Sequence, residues 1–380
     1  MNPDKIWLSS PHMGGNEKKY IESAFAENIV APLGPNVTGF EYDLETFLQD
    51  GVHVAALSSG TAAIHLGLVL LGVQAGDEVL CQSMTFSASA NPIMYLSAIP
   101  VFIDSEPDTW NICPQALEDA IKDRISKGKK PKAIIAVHLY GMPYKIDEIR
   151  TVAQKYEIPI LEDSAEALGS TYKGQKCGTF GDVAALSFNG NKIITTSGGG
   201  ALVTHNLSIK EKAVFLATQA RDTAPYYQHS HIGYNYRLSN ISAGIGRGQM
   251  EVLEQHIALR RDMHEFYQQV FKDFPEIEVF SEPDNDFYSN HWLTAITINA
   301  KKSGKTAEDL RQTLVKDNIE SRPLWKPMHL QPVFGQYPYY GGTIASDLFS
   351  KGLCLPSGSN LTDNQKDRIK NSINGFLKDE

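Results

Sequence analysis

Val52-His53-Val54-Ala55-Ala56-Leu57-Ser58-Ser59-Gly60-Thr61-Ala62-Ala63 reads as a strand, a polar turn and the opening of a helix. The first six residues form a nearly continuous apolar run. That marks a strand buried on both faces, not one alternating between core and water. Ser58-Ser59-Gly60 interrupts it, and helical spacing predicts a helix over 61–71. The unit then repeats. Strands predicted at 78–81, 100–104, 133–137 and 158–161 alternate with helices at 87–96, 114–126 and 146–156. This rhythm predicts an α/β fold with a mostly parallel sheet flanked by helices. Ligands of such sheets bind beyond the carboxyl ends of the strands.

Two helices, over 16–28 and 38–49, are expected ahead of the first strand. Val30-Ala31-Pro32-Leu33-Gly34-Pro35 separates them and continues neither. Near Ser242 the rhythm changes. A long helix carries Met250, Leu253 and Ile257 at helical spacing, then becomes highly charged. Strands at 292–299 and 319–323 then mix with helices at 307–317 and 362–377, the pattern of a smaller α+β unit. The expected division is a large domain over 1–245 and a small one over 246–380. Gly244-Ile245-Gly246-Arg247-Gly248 lacks the interval and the preceding strand of a dinucleotide fingerprint, and reads as close helix packing.

With a net charge of −9 and no basic block, the chain does not suit nucleic acid or an anionic membrane surface. A phosphorylated small molecule needs only a local cationic pocket. The four cysteines show no CxxC spacing, so neither structural zinc nor a disulfide framework is expected, and no metal is. The longest apolar stretch, 62–73, is too short to span a bilayer. Cytoplasmic residence is the expectation.

Every polar motif falls at a predicted strand end. Ser58-Ser59-Gly60-Thr61 suits a phosphate, because glycine admits close approach and helix-start N–H groups favour anions; taken alone, it suits a plain N-cap better. Phe86, in Met84-Thr85-Phe86, reads as a ring for stacking or as core. Asp163, in Glu162-Asp163-Ser164-Ala165-Glu166-Ala167, reads as the partner of a pyridinium or as an acidic cap. Lys192 follows Ser187 by five residues and precedes Gly198-Gly199-Gly200; it reads as a carbonyl-condensing amine or as a surface lysine. A lysine that bonds a carbonyl and an acid that protonates a ring nitrogen are what pyridoxal phosphate requires of a protein. Gly233-Tyr234-Asn235-Tyr236-Arg237-Leu238 and Arg322-Pro323-Leu324-Trp325-Lys326-Pro327-Met328-His329 are rich in donors and aromatics, in keeping with anion recognition or with polar loops.

Taken in order, Ser58–Ala63, Met84–Phe86, Glu162–Ala167, Ser187–Lys192 and Gly233–Asn240 resemble the sugar-nucleotide aminotransferases of fold type I. The resemblance spans nearly the whole chain. Within that family, Pro11-His12-Met13-Gly14-Gly15, Ile29–Gly34, Asn189–Gly200 and Arg322–Lys326 are similar to the branch acting in the UDP-N-acetylbacillosamine pathway. The resemblance implies pyridoxal 5'-phosphate as cofactor, with Lys192 bonded to it and Asp163 on its ring nitrogen. It implies phosphate contacts from Gly60, Thr61 and Ser187, stacking by Phe86, and Glu166 near the phenolic oxygen, where many relatives carry glutamine. Asn235 would reach the cofactor of a neighbouring subunit, so a homodimer with shared active sites is implied. Arg221, Tyr227, His229 and His329 resemble nucleotide-sugar contacts. The implied substrates are L-glutamate and a UDP-linked 4-keto-6-deoxy-N-acetylhexosamine.

Three rival readings share this scaffold. One is a GDP-perosamine synthase-like 4-aminotransferase. Another is a sugar dehydratase, whose relatives replace the lysine with histidine. The third is a non-catalytic nucleotide-sugar sensor, which would be expected to lose reactive groups such as Lys192 and Asp163.

Overall fold

A computed structural model describes residues 4–49 and 51–378. Its largest element is an eight-stranded sheet, ordered His53–Leu57, Gly200–Thr204, Val183–Ser187, Ile160–Asp163, Ala133–Val137, Glu78–Gln82, Ile99–Ile103 and Tyr339–Tyr340. Seven strands share one direction, six of them joined by parallel pairings, whereas Gly200–Thr204 is antiparallel to both its neighbours. This is the expected α/β architecture. The central strands are buried on both faces: one layer gathers Leu57, Cys81, Phe102, Ile135 and Leu161, the other Leu80, Val101, Ile134 and Ile160.

Several predicted elements stand at the expected residues, including the helices Pro114–Ser126 and Ile146–Tyr156. The second helix starts three residues early, at Pro35. Proline lacks an N–H, which the first turn does not use, and its fixed φ suits that position. The fifth predicted strand is displaced to Ile160–Asp163, which puts Asp163 at its last residue. The expected long helix is two, Asn240–Met250 and Leu253–Phe271. Its glycines do serve close packing: a β-carbon would come within 2.7 Å of the Phe40 ring at Gly246 and 2.6 Å of Glu17 N at Gly248.

A four-stranded antiparallel sheet, Ile277–Val279, Thr294–Ile298, Gly352–Leu355 and Arg322–Pro323, packs with Leu253–Phe271, Ala307–Lys316 and Asp363–Lys378. Ile6 enters this core, paired with Ile319, so the amino-terminal segment crosses to the later part of the chain. That crossing brings Trp7, Leu8 and Ser9 beside the carboxyl edge of the large sheet. Among the described residues, no helix is long and apolar enough to cross a membrane.

Candidate active site

A cavity of about 650 Å³ opens at that carboxyl edge. Its first wall is the turn after His53–Leu57. Ser59 is extended, and its Oγ accepts the Ala62 N–H at 3.0 Å, so the helix Gly60–Leu70 begins at glycine. The cap engages one of the helix's unpaired N–H groups, and the other first-turn groups remain for an anion. A β-carbon on Gly60 would stand 2.9 Å from Ser187 Cβ. Glycine therefore lets the helix start lie against the end of Val183–Ser187, and Thr61 and Ser187 line the same pocket.

The second wall is the end of Ile160–Asp163. Asp163 Oδ2 accepts from Ser89 Oγ at 2.5 Å, and Oδ1 from the Ala165 N–H at 3.2 Å. Ser89 Oγ lies 2.6 Å from Thr85 Oγ1, so a short hydroxyl chain fixes the carboxylate's plane.

Lys192 forms the third wall. It lies in a turn closed by its N–H on Asn189 O at 3.0 Å. Nζ stands 3.2 Å from Glu166 Oε1 and 4.0 Å from the centre of the Trp292 ring, and the side chain is only 12% exposed. The Trp292 indole N–H donates to Asn191 O at 2.7 Å. The other Glu166 oxygen accepts the Tyr140 N–H at 2.7 Å, with Tyr140 in a left-handed conformation at φ +56°. Burial pushes the Glu166 carboxyl up to about 7, against the opposing pull of Lys192 and the Tyr140 N–H.

Phe86 is more than half exposed at the mouth, 5.7 Å from Trp325, which also neighbours Tyr140 and Trp292. Arg322 stands on the rim beside Glu320.

Gly60, Thr61, Phe86, Asp163, Glu166, Ser187 and Lys192 thus converge on one cavity, from residues far apart in sequence. The other candidates lie outside it. Asn235 is exposed and lines a separate cavity of about 440 Å³ with Leu33, Gly34 and Arg237. Arg221, Tyr227 and His229 occupy an exposed arm, with the Arg221 guanidinium 4.5 Å from the Tyr227 ring and His229 Nδ1 2.8 Å from Gln219 O. His329 stacks on Tyr339 and has Nδ1 2.7 Å from Ser83 Oγ. Sequence reasoning missed Ser89, Tyr140 and Trp292. Ser89, two residues into a helix, and Tyr140, acting through its backbone, carry no local signal. An aromatic beside a strand, such as Trp292, reads as core.

The sequence profile of the DegT/DnrJ/EryC1/StrS aminotransferase family matches residues 11–374. A Bacillus subtilis (strain 168) protein named as a pyridoxal phosphate-dependent aminotransferase, EpsN, is 51% identical over 370 residues, 96% of this chain and 94% of its own. A GDP-perosamine synthase of Escherichia coli O157:H7 is 35% identical over 99% of both chains. The crystal structure of a DegT/DnrJ/EryC1/StrS aminotransferase from Brucella abortus superposes with a TM-score of 0.88 at 30% identity, covering 96% of each chain. The chain therefore belongs to the DegT/DnrJ/EryC1/StrS family and is a pyridoxal phosphate-dependent sugar aminotransferase.

Proposed function

We propose that the enzyme transfers the amino group of L-glutamate to the C4 ketone of a UDP-linked 4-keto-6-deoxy-N-acetylhexosamine. The products are UDP-2-acetamido-4-amino-2,4,6-trideoxyglucose and 2-oxoglutarate. The observation that carries the chemistry is the convergence of Lys192 Nζ and the Asp163 carboxylate on one cavity with an open helix start. The residues fit the cofactor. The glycine at Gly60 leaves room beside Ser187 that a β-carbon would narrow, and the volume lies within the range of small-molecule sites.

When bound, pyridoxal phosphate supplies an aldehyde that bonds amines and a protonated ring that draws electrons from the reacting carbon. Gly60, Thr61 and Ser187 would hold the phosphate, and Phe86 would cover one ring face. Asp163, held by Ser89 and the Ala165 N–H, would keep a proton on the ring nitrogen. Lys192 would hold the cofactor through Nζ, and as a free amine Nζ would take the proton from glutamate Cα and, in the second half-reaction, deliver one to sugar C4. Glu166, beside Nζ, would hold that amine in place by accepting its hydrogen bond. Low exposure keeps water from the amine.

Asn235 stands outside its own chain's cavity, which supports a contact with the cofactor of a second subunit and hence a homodimer. The exposed arm carrying Arg221, Tyr227 and His229, together with His329, would meet the nucleotide sugar there. Division of the chain at about residue 245 accords with this reading, because the cofactor contacts then come from the large domain.

A second reading, a GDP-linked substrate, is favoured by the 35% identity to a GDP-perosamine synthase. Incubation with L-glutamate and UDP-, GDP- and dTDP-linked 4-keto sugars, read by mass spectrometry and by NMR couplings of the C4 proton, separates them. Amination of the UDP-N-acetyl sugar supports the first reading, and amination of the GDP sugar alone replaces it with the second. Purified protein with no borohydride-sensitive visible absorbance and no turnover would leave a sensor.

A further inference from the structure

Arg260 is the largest side chain that the fold buries completely, at 1% exposure. It projects from the helix Leu253–Phe271. Among the described residues, its donors meet only neutral acceptors. Nη1 donates to Trp292 O at 2.6 Å and Ser357 O at 3.2 Å; Nη2 donates to Ser9 Oγ at 3.0 Å and Lys192 O at 3.4 Å. Nε–H finds no acceptor. Burial alone pushes the guanidinium down to about 9, with no carboxylate raising it. A cation hidden from water without a counter-charge is a costly way to stitch a fold together.

The acceptors explain the choice. Ser9 Oγ, which accepts from Arg260, donates in turn to Asn191 O at 2.7 Å. Trp292, whose carbonyl Arg260 holds, donates its indole N–H to the same Asn191 oxygen and lies 4.0 Å from Lys192 Nζ. Ser357 Oγ accepts the N–H of Thr294, two residues beyond Trp292. Of the four ties, one thus ends on the Lys192 carbonyl, a second reaches the Asn191 carbonyl through Ser9, and a third holds the backbone of Trp292, whose ring lies beside the lysine. Only a planar guanidinium presents donors in a fork that reaches four separate segments; an ammonium has three donors and no plane.

We propose that Arg260 is a positioning residue for transamination: it clamps the backbone at Asn191 and Lys192 and the Trp292 backbone so that Lys192 Nζ is held between Glu166 and the indole. It touches no reacting atom and acts through Lys192, so the inference rests on the reading of Lys192 given above. The geometric requirement is severe, because a reacting group displaced by about 1 Å loses about 100-fold in rate.

The test uses the holoenzyme and two variants, Arg260→Lys and Ser9→Ala. Borohydride reduction and peptide mapping of the wild type come first. Label on a lysine other than Lys192 would sink the reading of the site, whatever Arg260 does. With Lys192 labelled, Arg260→Lys should change the induced circular dichroism of the bound cofactor. It should lower kcat in the glutamate half-reaction by about 100-fold with KM nearly unchanged. In the cofactor-free protein, amide exchange over 189–194 should quicken while the central strands keep their protection. Ser9→Ala should shift the same readouts less, and the double variant should be no worse than Arg260→Lys alone. Folded variants with wild-type dichroism and kcat, losses that multiply in the double variant, or full rescue by lysine would each overturn the proposal. If Arg260→Lys does not fold, the dichroism and exchange of Ser9→Ala decide: a change supports the clamp, and wild-type values refute it.

Discussion

Glu166 Oε1 stands 3.2 Å from Lys192 Nζ, inside a cavity whose walls leave both side chains largely out of water. Four residues earlier, Glu162 is equally buried but faces a different set of donors. Its carboxylate accepts from His138 Nε2 at 2.8 Å and from the N–H groups of Gly178, Phe180 and Gly181 at 3.0, 2.6 and 2.7 Å. Burial raises both carboxyls. At Glu166 it wins; at Glu162 the histidine and the amides outweigh it and hold the group below the usual range. One short segment therefore carries a structural anion and a carboxyl poised near neutrality.

For Glu166 the folded value of about 7 lies above the 4.5 of a free glutamate, so between these values the folded chain binds more protons than the unfolded. The stability contributed by this group is complete below pH 4.5 and is lost as pH rises through 7. In urea unfolding of the cofactor-free protein from about pH 5 to 8, the wild type should lose stability relative to Glu166→Gln. Parallel curves for the two proteins would contradict this environment for Glu166.

Glu162→Gln should act in the opposite window and more severely. A depressed carboxyl contributes stability above the free value of 4.5 that is lost as pH falls through the folded value. The amide keeps the volume but turns an N–H₂ toward backbone N–H donors, at a cost of about 3 kcal/mol at neutral pH. Its penalty should shrink in acid. A penalty that stayed constant down to pH 3 would exclude charge as its origin.

Gly200→Ala should damage both fold and cofactor retention. A β-carbon there would lie 2.3 Å from Ser59 C and 2.4 Å from Gly60 N, which are backbone atoms of the proposed phosphate cradle. Relief requires moving that turn, so we expect a loss of about 3 kcal/mol. Weaker pyridoxal phosphate binding in equilibrium dialysis should accompany it. Normal stability with normal retention would show that the two segments are not in tight contact.

Asn235→Ala and Lys192→Ala test the shared site by mixing. Each variant alone should have little or no activity, and the lysine variant should give no borohydride-trapped adduct. If Asn235 serves the neighbouring subunit, a mixed dimer rebuilds one intact site, and statistical exchange should restore about a quarter of wild-type turnover. Activity that stays absent after subunit exchange, verified by native mass spectrometry, would confine Asn235 to its own chain.

The alternation of apolar strands and helices was legible because buried parallel strands have a local signature that no distant residue alters. The α/β class followed, as did the placement of Gly60, Phe86, Asp163 and Ser187 at strand ends. The antiparallel strand Gly200–Thr204 escaped because its glycine start reads as loop; only its place between His53–Leu57 and Val183–Ser187 makes it part of the sheet. Asp163, Lys192 and Gly60 advertise themselves by motif, since their chemistry is local. Their distances are not local. Ser89 fixes Asp163 from 74 positions away, and Trp292 reaches Asn191 across 101. Sequence by itself determined which groups are present and on which edge of the sheet they end. Tertiary packing alone decided that Glu166 faces Lys192 while Glu162 faces His138, and that an uncompensated Arg260 stands behind the lysine, because burial and donor geometry are set by segments that meet only in the folded chain.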